Sequence, residues 1–347
     1  MTVDANYAGT DTINRFVKSA KPILARGLVD LLVWSWGMLI LGLAVYVLFP
    51  NVLTFAFAFL VVTSRMGALL AIAHDAHHGT FLPNRKWNDL VAAWFCAYPV
   101  GSIYSSSRAV HMAHHKLLNT PEDPDRNFHF EDNKSTPQQF AWHFLRLVFG
   151  GQLWTSIVVN GILRPIQKDA APTQNKPAPV VVLTRKGHPE ILNLVPVQLV
   201  IWGALWAVSG QWWLYLAVWL GPIFTLGTFL GFLRGFVDHA RLPDDNAVNS
   251  SERLVTVLNA NFLERAFLAP YDFKYHAEHH MFPSVPHYHL HELHTILQAD
   301  ENYRHRYLMR PSYTAFIKEY WSQISRNAQQ GSNAPAAPAA AHPSVQK

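Results

Sequence analysis

Two long intervals of this chain, Gly27 to Ser64 and Gly187 to Leu233, contain neither lysine nor arginine. Each holds two apolar stretches around a short polar break, Pro50-Asn51 in the first and Ser209-Gly210-Gln211 in the second. A hydrocarbon core of roughly 30 Å is crossed by about 20 apolar residues in a helix. The intervals therefore predict two helical hairpins, with spans at Leu31 to Leu48, Val52 to Ala71, Leu192 to Val208 and Trp212 to Phe232. Composition agrees: 50% of residues are hydrophobic and 15% charged, against about 25% charged in soluble domains. Arg26, Arg65, Lys186 and Arg234 bound the intervals, and neither tight turn carries a basic residue. Basic residues favour the cytoplasmic side. Both termini and the long middle segment are therefore expected there, which for a bacterial chain means the cytoplasmic membrane.

The expected fold is all-α and integral to the membrane: four transmembrane helices under a cytoplasmic helical cap. Residues 1–26 form a cytoplasmic N-terminal segment, 27–328 the membrane and cap domain, and 329–347, rich in Ala, Pro, Ser and Gln, a disordered tail. Met1 to Lys18 is polar, so no secretory signal is expected. Two weaker apolar stretches, Asp89 to Tyr104 and Trp142 to Leu163, are read as interfacial or re-entrant. The single cysteine, Cys96, excludes an intrachain disulfide and a cysteine-ligated iron–sulfur cluster. No stretch is basic enough to track nucleic-acid phosphates; the Lys and Arg residues cluster at the edges of the apolar runs.

Histidine is the unusual residue, with 19 copies. Three clusters repeat one spacing: His74-Asp75-Ala76-His77-His78, His111-Met112-Ala113-His114-His115 and His276-Ala277-Glu278-His279-His280. Residues at i, i+3 and i+4 share one helix face, so each cluster can present several imidazoles to a metal. Such ligands without thiolates suit Fe, Zn, Cu or Ni. If Asp89 to Tyr104 crossed the membrane alone, the first two clusters would lie on opposite sides. As a non-crossing piece it leaves all three on one face, above the bilayer. A helix continuing past Arg65 lifts His74 about 13 Å beyond that arginine. His239, about 8 Å past Arg234 by the same rise, is a further candidate ligand. Asp75, Asp125, Asp238 and Glu278 are candidates to hold imidazoles through the second ring N–H. If helical, His287, His291 and His294 share a face, but a second metal centre there is the weaker reading. His129, His143, His188, His305 and His342 read as ordinary polar residues.

These motifs resemble the membrane fatty acid desaturase family over about residues 30 to 300. His74 to His78, followed by Gly79-Thr80, resembles the first histidine box. His111 to His115, with Asp123-Pro124-Asp125 after it, resembles the second. His276 to His280, followed by Met281-Phe282-Pro283-Ser284-Val285-Pro286, resembles the third. His294 is similar to a family histidine near the end of that motif. The resemblance implies two iron ions with O2 as co-substrate. The implied ligands are His74, His78, His111, His114, His115, His239, His276, His279 and His280, with His77 beside them. It implies desaturation of a lipid acyl chain, and a separate electron donor of ferredoxin, rubredoxin or cytochrome b5 type with its reductase. Removing hydrogen from an unactivated methylene needs a stronger oxidant than any side chain, so no nucleophile or acid–base pair is expected.

A lipid hydroxylase or acetylenase, or a carotenoid ketolase or hydroxylase, would use the same centre. The acidic tail after the second box and the Phe-Pro-Ser-Val-Pro run favour the acyl-chain branch by resemblance. Two non-enzymes compete: a histidine-rich metal transporter, which needs ligands within the spans, and a bis-histidine haem carrier. The substrate's carrier, chain length and bond position are not encoded in readable form.

Overall fold

The computed structural model describes residues 11–118, 120, 122–125, 136–152, 190–240, 242 and 254–333. The Pro-containing stretch Ala171 to Ala178, whose sequence reads as a loop, residues 153–163 of the second weak apolar stretch, and most of the tail lie outside them, as do His129, His188 and His342.

The described chain is mostly helical. Helix α1 (Asp11–Ser19) precedes α2 (Leu24–Leu48), whose segment Asp30–Gly37 is wound as a π-helix. After the turn at Phe49–Asn51, α3 (Val52–His78) begins under a reciprocal cap. The Asn51 side chain accepts from Leu53 and Thr54 N–H, and Thr54 Oγ1 accepts from Asn51 N–H. Helix α3 ends where Gly79 adopts φ 77°, with Gly79 N–H on Ala76 O and Thr80 N–H on Asp75 O.

Next come α4 (Arg85–Ala92), α5 (Tyr104–Leu117), α6 (Pro137–Val148), α7 (Ile191–Ser209) and α8 (Tyr215–His239). The chain then forms strand β1 (Val255–Val257) and helices α9 (Phe262–Phe267), α10 (His276–Met281) and α11 (Leu290–Ala299). Strand β2 (Leu308–Arg310) and α12 (Tyr313–Asn333) complete it. The strands pair in parallel, Val255 opposite Leu308 and Val257 opposite Arg310. This small sheet departs from the all-α expectation; three-residue strands carry too little periodicity to be read from sequence.

Helices α2, α3, α7 and α8 are the four long and apolar enough to cross a membrane among the described residues. Three of them outrun their predicted spans. Helix α2 starts at Leu24, α3 continues to His78, and α8 runs to His239. Apolar content marks only part of each helix; the extensions of α3 and α8 carry His74, His77, His78 and His239.

The apolar helices pack tightly where Gly42 of α2 meets α3: a Cβ there would lie 2.7 Å from Val61 Cγ1. Leu39, Leu43, Ala58, Val62 and Met66 join Val218 and Trp219 of α8 in one buried cluster. Helix α8 bends at Thr225 (φ −122°, ψ −101°), three residues after Pro222, and Thr225 Oγ1 bonds Gly221 O at 2.6 Å.

The first weak apolar stretch forms no candidate span. It is helix α4 followed by a π turn and a 3-10 turn ending at Val100. Its free carbonyls are met from α7 and α8: Gln198 Nε2 reaches Pro99 O at 3.0 Å and Trp219 Nε1 reaches it at 2.9 Å. Two further buried clusters lie among the remaining elements. In one, α6, the end of α8, β1 and α12 meet around Phe140, Phe236 and Phe316. In the other, Ile13 of the short amphipathic α1 packs with Leu290, Leu293 and Leu297 of α11.

Candidate metal centre

Four helices bring the three histidine clusters and His239 into one body. The last turn of α3 carries His74, His77 and His78; α5 carries His111, His114 and His115; α8 ends on His239; α10 carries His276, His279 and His280. The i, i+3, i+4 spacing works as expected, because each short helical run turns its rings to one side.

Two groups of ligand-capable nitrogens lie within 4.8 Å of one another: His74, His111, His115 and His279, then His114, His239 and His280. His78 adjoins the first, its Nε2 2.7 Å from His111 Nε2 and its ring 4.6 Å from that of His115. His276 adjoins the second, its Nε2 2.8 Å from His239 Nε2. The rings of His115 and His280 stack at 4.1 Å and connect the groups. All nine candidate ligands are therefore assembled. His77 stands at the margin, its Nε2 3.2 Å from Ser107 Oγ and its ring 5.6 Å from that of His111.

Whether this donor set fits a metal depends on what its nitrogens otherwise bond. His74 Nδ1, His115 Nε2, His279 Nδ1 and Nε2, and His280 Nε2 are buried without a hydrogen-bond partner. Buried polar atoms rarely go unpaired, and several converging on one place fit a ligand. Burial first, and then neighbouring imidazoles, hold His111, His115, His279 and His280 well below the ordinary histidine range. These rings are neutral near pH 7, with lone pairs available to a cation. Two pockets of imidazoles fit two ions.

The carboxylates are arranged differently from the sequence expectation. Asp123, not Asp125, holds His114: its oxygens lie 2.9 and 3.1 Å from Nδ1. Asp125 instead donates its backbone N–H to Asp123 Oδ1 at 2.9 Å. Asp75 bonds His287 at 2.8 Å and not a box histidine. Glu278 accepts from Thr256 Oγ1 and pairs with Nδ1 of His294. Asp238 is anchored by Arg234 Nε at 3.0 Å and lies 3.7 Å from His276 Nδ1. The run from His287 to His294 forms no shared site: His287 meets carboxylates, His291 the Tyr275 hydroxyl at 2.6 Å, and His294 Glu278. Asp123 was recoverable in principle, since either aspartate of the Asp-Pro-Asp motif could serve; the turn geometry selects the first.

Four helices long and apolar enough to cross a membrane and a cluster of nine imidazoles that could hold metal ions are the features that narrow the class of this protein. Comparison makes this specific. The chain belongs to the fatty acid desaturase family, whose profile, described as Fatty acid desaturase, matches residues 50–313. It is similar to the dihydrorhizobitoxine desaturase of Bradyrhizobium elkanii, 26% identical over 262 residues, covering 71% of this chain and 68% of that protein. It is also similar to the beta-carotene ketolase of Paracoccus sp. (strain N81106 / MBIC 01143), 26% identical over 237 residues, covering 66% and 74%. Family and relatives indicate an oxidoreductase of the desaturase type.

Proposed function

We propose that this chain is an O2-dependent, membrane-bound di-iron desaturase that introduces a double bond into a lipid acyl chain. The two helix pairs form membrane hairpins beneath a cytoplasmic cap, and the nine assembled histidines are the iron ligands. The observation that carries this reading is the convergence of ring nitrogens from four helices into two adjoining groups, with buried nitrogens of His74, His115, His279 and His280 left without a hydrogen-bond partner. Bound there, non-haem iron with O2 would supply the oxidant that an unactivated methylene requires.

The chain's own contribution is positioning and exclusion. Asp123 fixes the orientation of His114 through Nδ1 and leaves Nε2 to bind. Phe273, fully buried, sets its ring 4.9 Å edge-on to His74 and 5.7 Å from His279, closing one side of the centre with hydrocarbon. Electrons come from a separate donor of ferredoxin, rubredoxin or cytochrome b5 type, because one cysteine is too few to hold an iron–sulfur cluster within this chain.

The ketolase relative supports a second reading, oxygenation of a carotenoid or lipid at the same centre. A small displacement of the reacting carbon separates loss of a second hydrogen from oxygen insertion. Lipid analysis of cells expressing the chain or His279→Ala decides among these. A new double bond lost in the variant is expected. A new hydroxyl or keto product establishes the second reading, and purified protein with only trace iron removes both.

A further inference from the structure

Outside the nine rings, one group of ionisable side chains is as deeply buried as the centre itself. His287, 2% exposed, lies between two carboxylates that are also inaccessible, Asp30 at 0% and Asp75 at 1%. Its Nδ1 is 2.8 Å from Asp75 Oδ2 and its Nε2 3.1 Å from Asp30 Oδ2. Its backbone N–H also donates to Asp75 Oδ2, at 3.2 Å. A neutral imidazole carries one N–H, whereas both ring nitrogens here face acceptors that cannot donate when ionised. An imidazolium between two carboxylates satisfies both contacts. Arg26 Nε adds a second cation 3.0 Å from Asp30, so two negative charges are matched by two positive ones.

The three partners belong to distant parts of the chain. Asp30 opens the π-helical stretch of α2, Asp75 sits in the last turn of α3 between His74 and His78, and His287 follows the third histidine motif. Tyr271 reinforces the junction. Its hydroxyl donates to Asp30 O at 2.7 Å and shares a hydrogen bond with Ser35 Oγ at 2.6 Å, while its ring lies 5.2 Å from that of His287. Tyr271 and Asp272, with φ 56° and 58°, are the two non-glycine residues in the left-handed region among those described. Such backbone persists only where its surroundings over-determine it. Burying a charged pair is costly, and in some proteins the return is a uniquely specified arrangement.

We propose that His287 is a positioning residue: a charged pin between Asp30 and Asp75 that fixes the rotation of the helix turn carrying His74 and His78 and ties it to the first apolar helix. Asp75 precedes His78 by three residues and follows His74 by one, so a roll of this turn displaces both rings together. The inference rests on the reading of that turn as metal-holding.

The test is Fe2+ affinity of the purified full chain, with Co2+ absorption as a spectroscopic readout. Wild type, H287Q, D30N/H287Q, D75N and H279A are compared after confirming monodispersity. Loss of a supporting contact weakens metal binding by about 10- to 100-fold, and this is expected for H287Q, with an altered Co2+ spectrum. D30N/H287Q restores charge balance and is expected to recover affinity at least threefold over H287Q. D75N removes the charge from the link to α3 while its amide oxygen can still accept, keeps the Arg26–Asp30–His287 pairing, and serves if H287Q does not fold; it too is expected to bind more weakly than wild type. Wild-type affinity and spectrum in H287Q or D75N, or a double variant no better than the single, overturns the pin. H279A losing metal while H287Q keeps it removes the pin and leaves the centre standing. A wild-type chain that binds no metal overturns both.

Discussion

Asp123 and His114, nine residues apart, are joined by both carboxylate oxygens to one ring nitrogen, Nδ1, at 2.9 and 3.1 Å. Both residues are buried. The carboxylate therefore selects the tautomer in which Nδ1 carries the proton and Nε2 is left to bind. Asp123→Asn is expected to weaken metal binding about 10- to 100-fold. Asp125→Asn, at a residue whose backbone N–H alone meets Asp123, is expected to change it less than threefold. Metal titration of the two variants checks the assignment, and equal losses would reject it.

The His287 junction makes stability sensitive to alkali. Burial alone would depress this imidazole, but the hydrogen bonds and charges of Asp30 and Asp75 win and push it up to about 9. A group raised on folding contributes stability that is complete below its unfolded value of about 6.5 and is lost as pH rises through about 9. The thermal midpoint of wild type is expected to fall between pH 7 and pH 10. H287Q is expected to show a smaller fall over the same interval, by scanning calorimetry or fluorescence in detergent.

The end of α3 depends on a residue without a side chain. Gly79 holds φ 77°, and a Cβ there would lie 1.8 Å from Arg85 Nη1. Gly79→Ala combines a left-handed penalty of about 1 to 2 kcal/mol with displacement of Arg85 from its contact with Asp89 at 3.5 Å. A lowered thermal midpoint is expected. Gly79→Asn, which tolerates this backbone better, is expected to lose less; an alanine variant as stable as wild type would contradict the account.

Asn88 braces the same helix end from below. It is fully buried, accepts from Leu82 N–H at 3.1 Å, and donates to Ala76 O at 2.9 Å. Ala76 lies in the first histidine cluster, so this amide ties the cluster to the turn that follows. Asn88→Ala leaves the Leu82 N–H without its partner, at about 1 to 3 kcal/mol, while Ala76 O keeps its bond from Gly79 N–H. Asn88→Asp keeps the acceptor, loses the donor and adds a charge, and is expected to be worse. Denaturant unfolding of the detergent-solubilised protein ranks them.

The spans and histidine boxes were legible because each is a local pattern. A long run without Lys or Arg, and imidazoles at i, i+3 and i+4, both reflect helix geometry acting within a few turns. The assembled centre followed from topology, since the clusters had to lie on one side. The supporting carboxylates were not legible in the same way. Asp75 pairs with His287 across 212 residues and Asp30 with the same ring across 257; such partners are set by packing and leave no periodic trace. Within the Asp-Pro-Asp motif, the choice of Asp123 over Asp125 turns on the direction of one backbone turn. The left-handed Tyr271 and Asp272 were hidden for a related reason: nothing in a Tyr-Asp pair announces positive φ.

Helix α3 starts at Val52 and ends, without a break, on the first histidine cluster at His78. Twenty-seven residues make a rigid rod about 40 Å long. Pivoted at its far end, a change in tilt of about 5° sweeps the tip sideways by roughly 3 Å, more than the length of a metal–nitrogen bond of about 2 Å. On the proposed reading of α3 as a membrane span, a mismatch in bilayer thickness that is met by tilting would reach the histidines as a mechanical input, and lipid chain length becomes a variable that any assay in vesicles has to control.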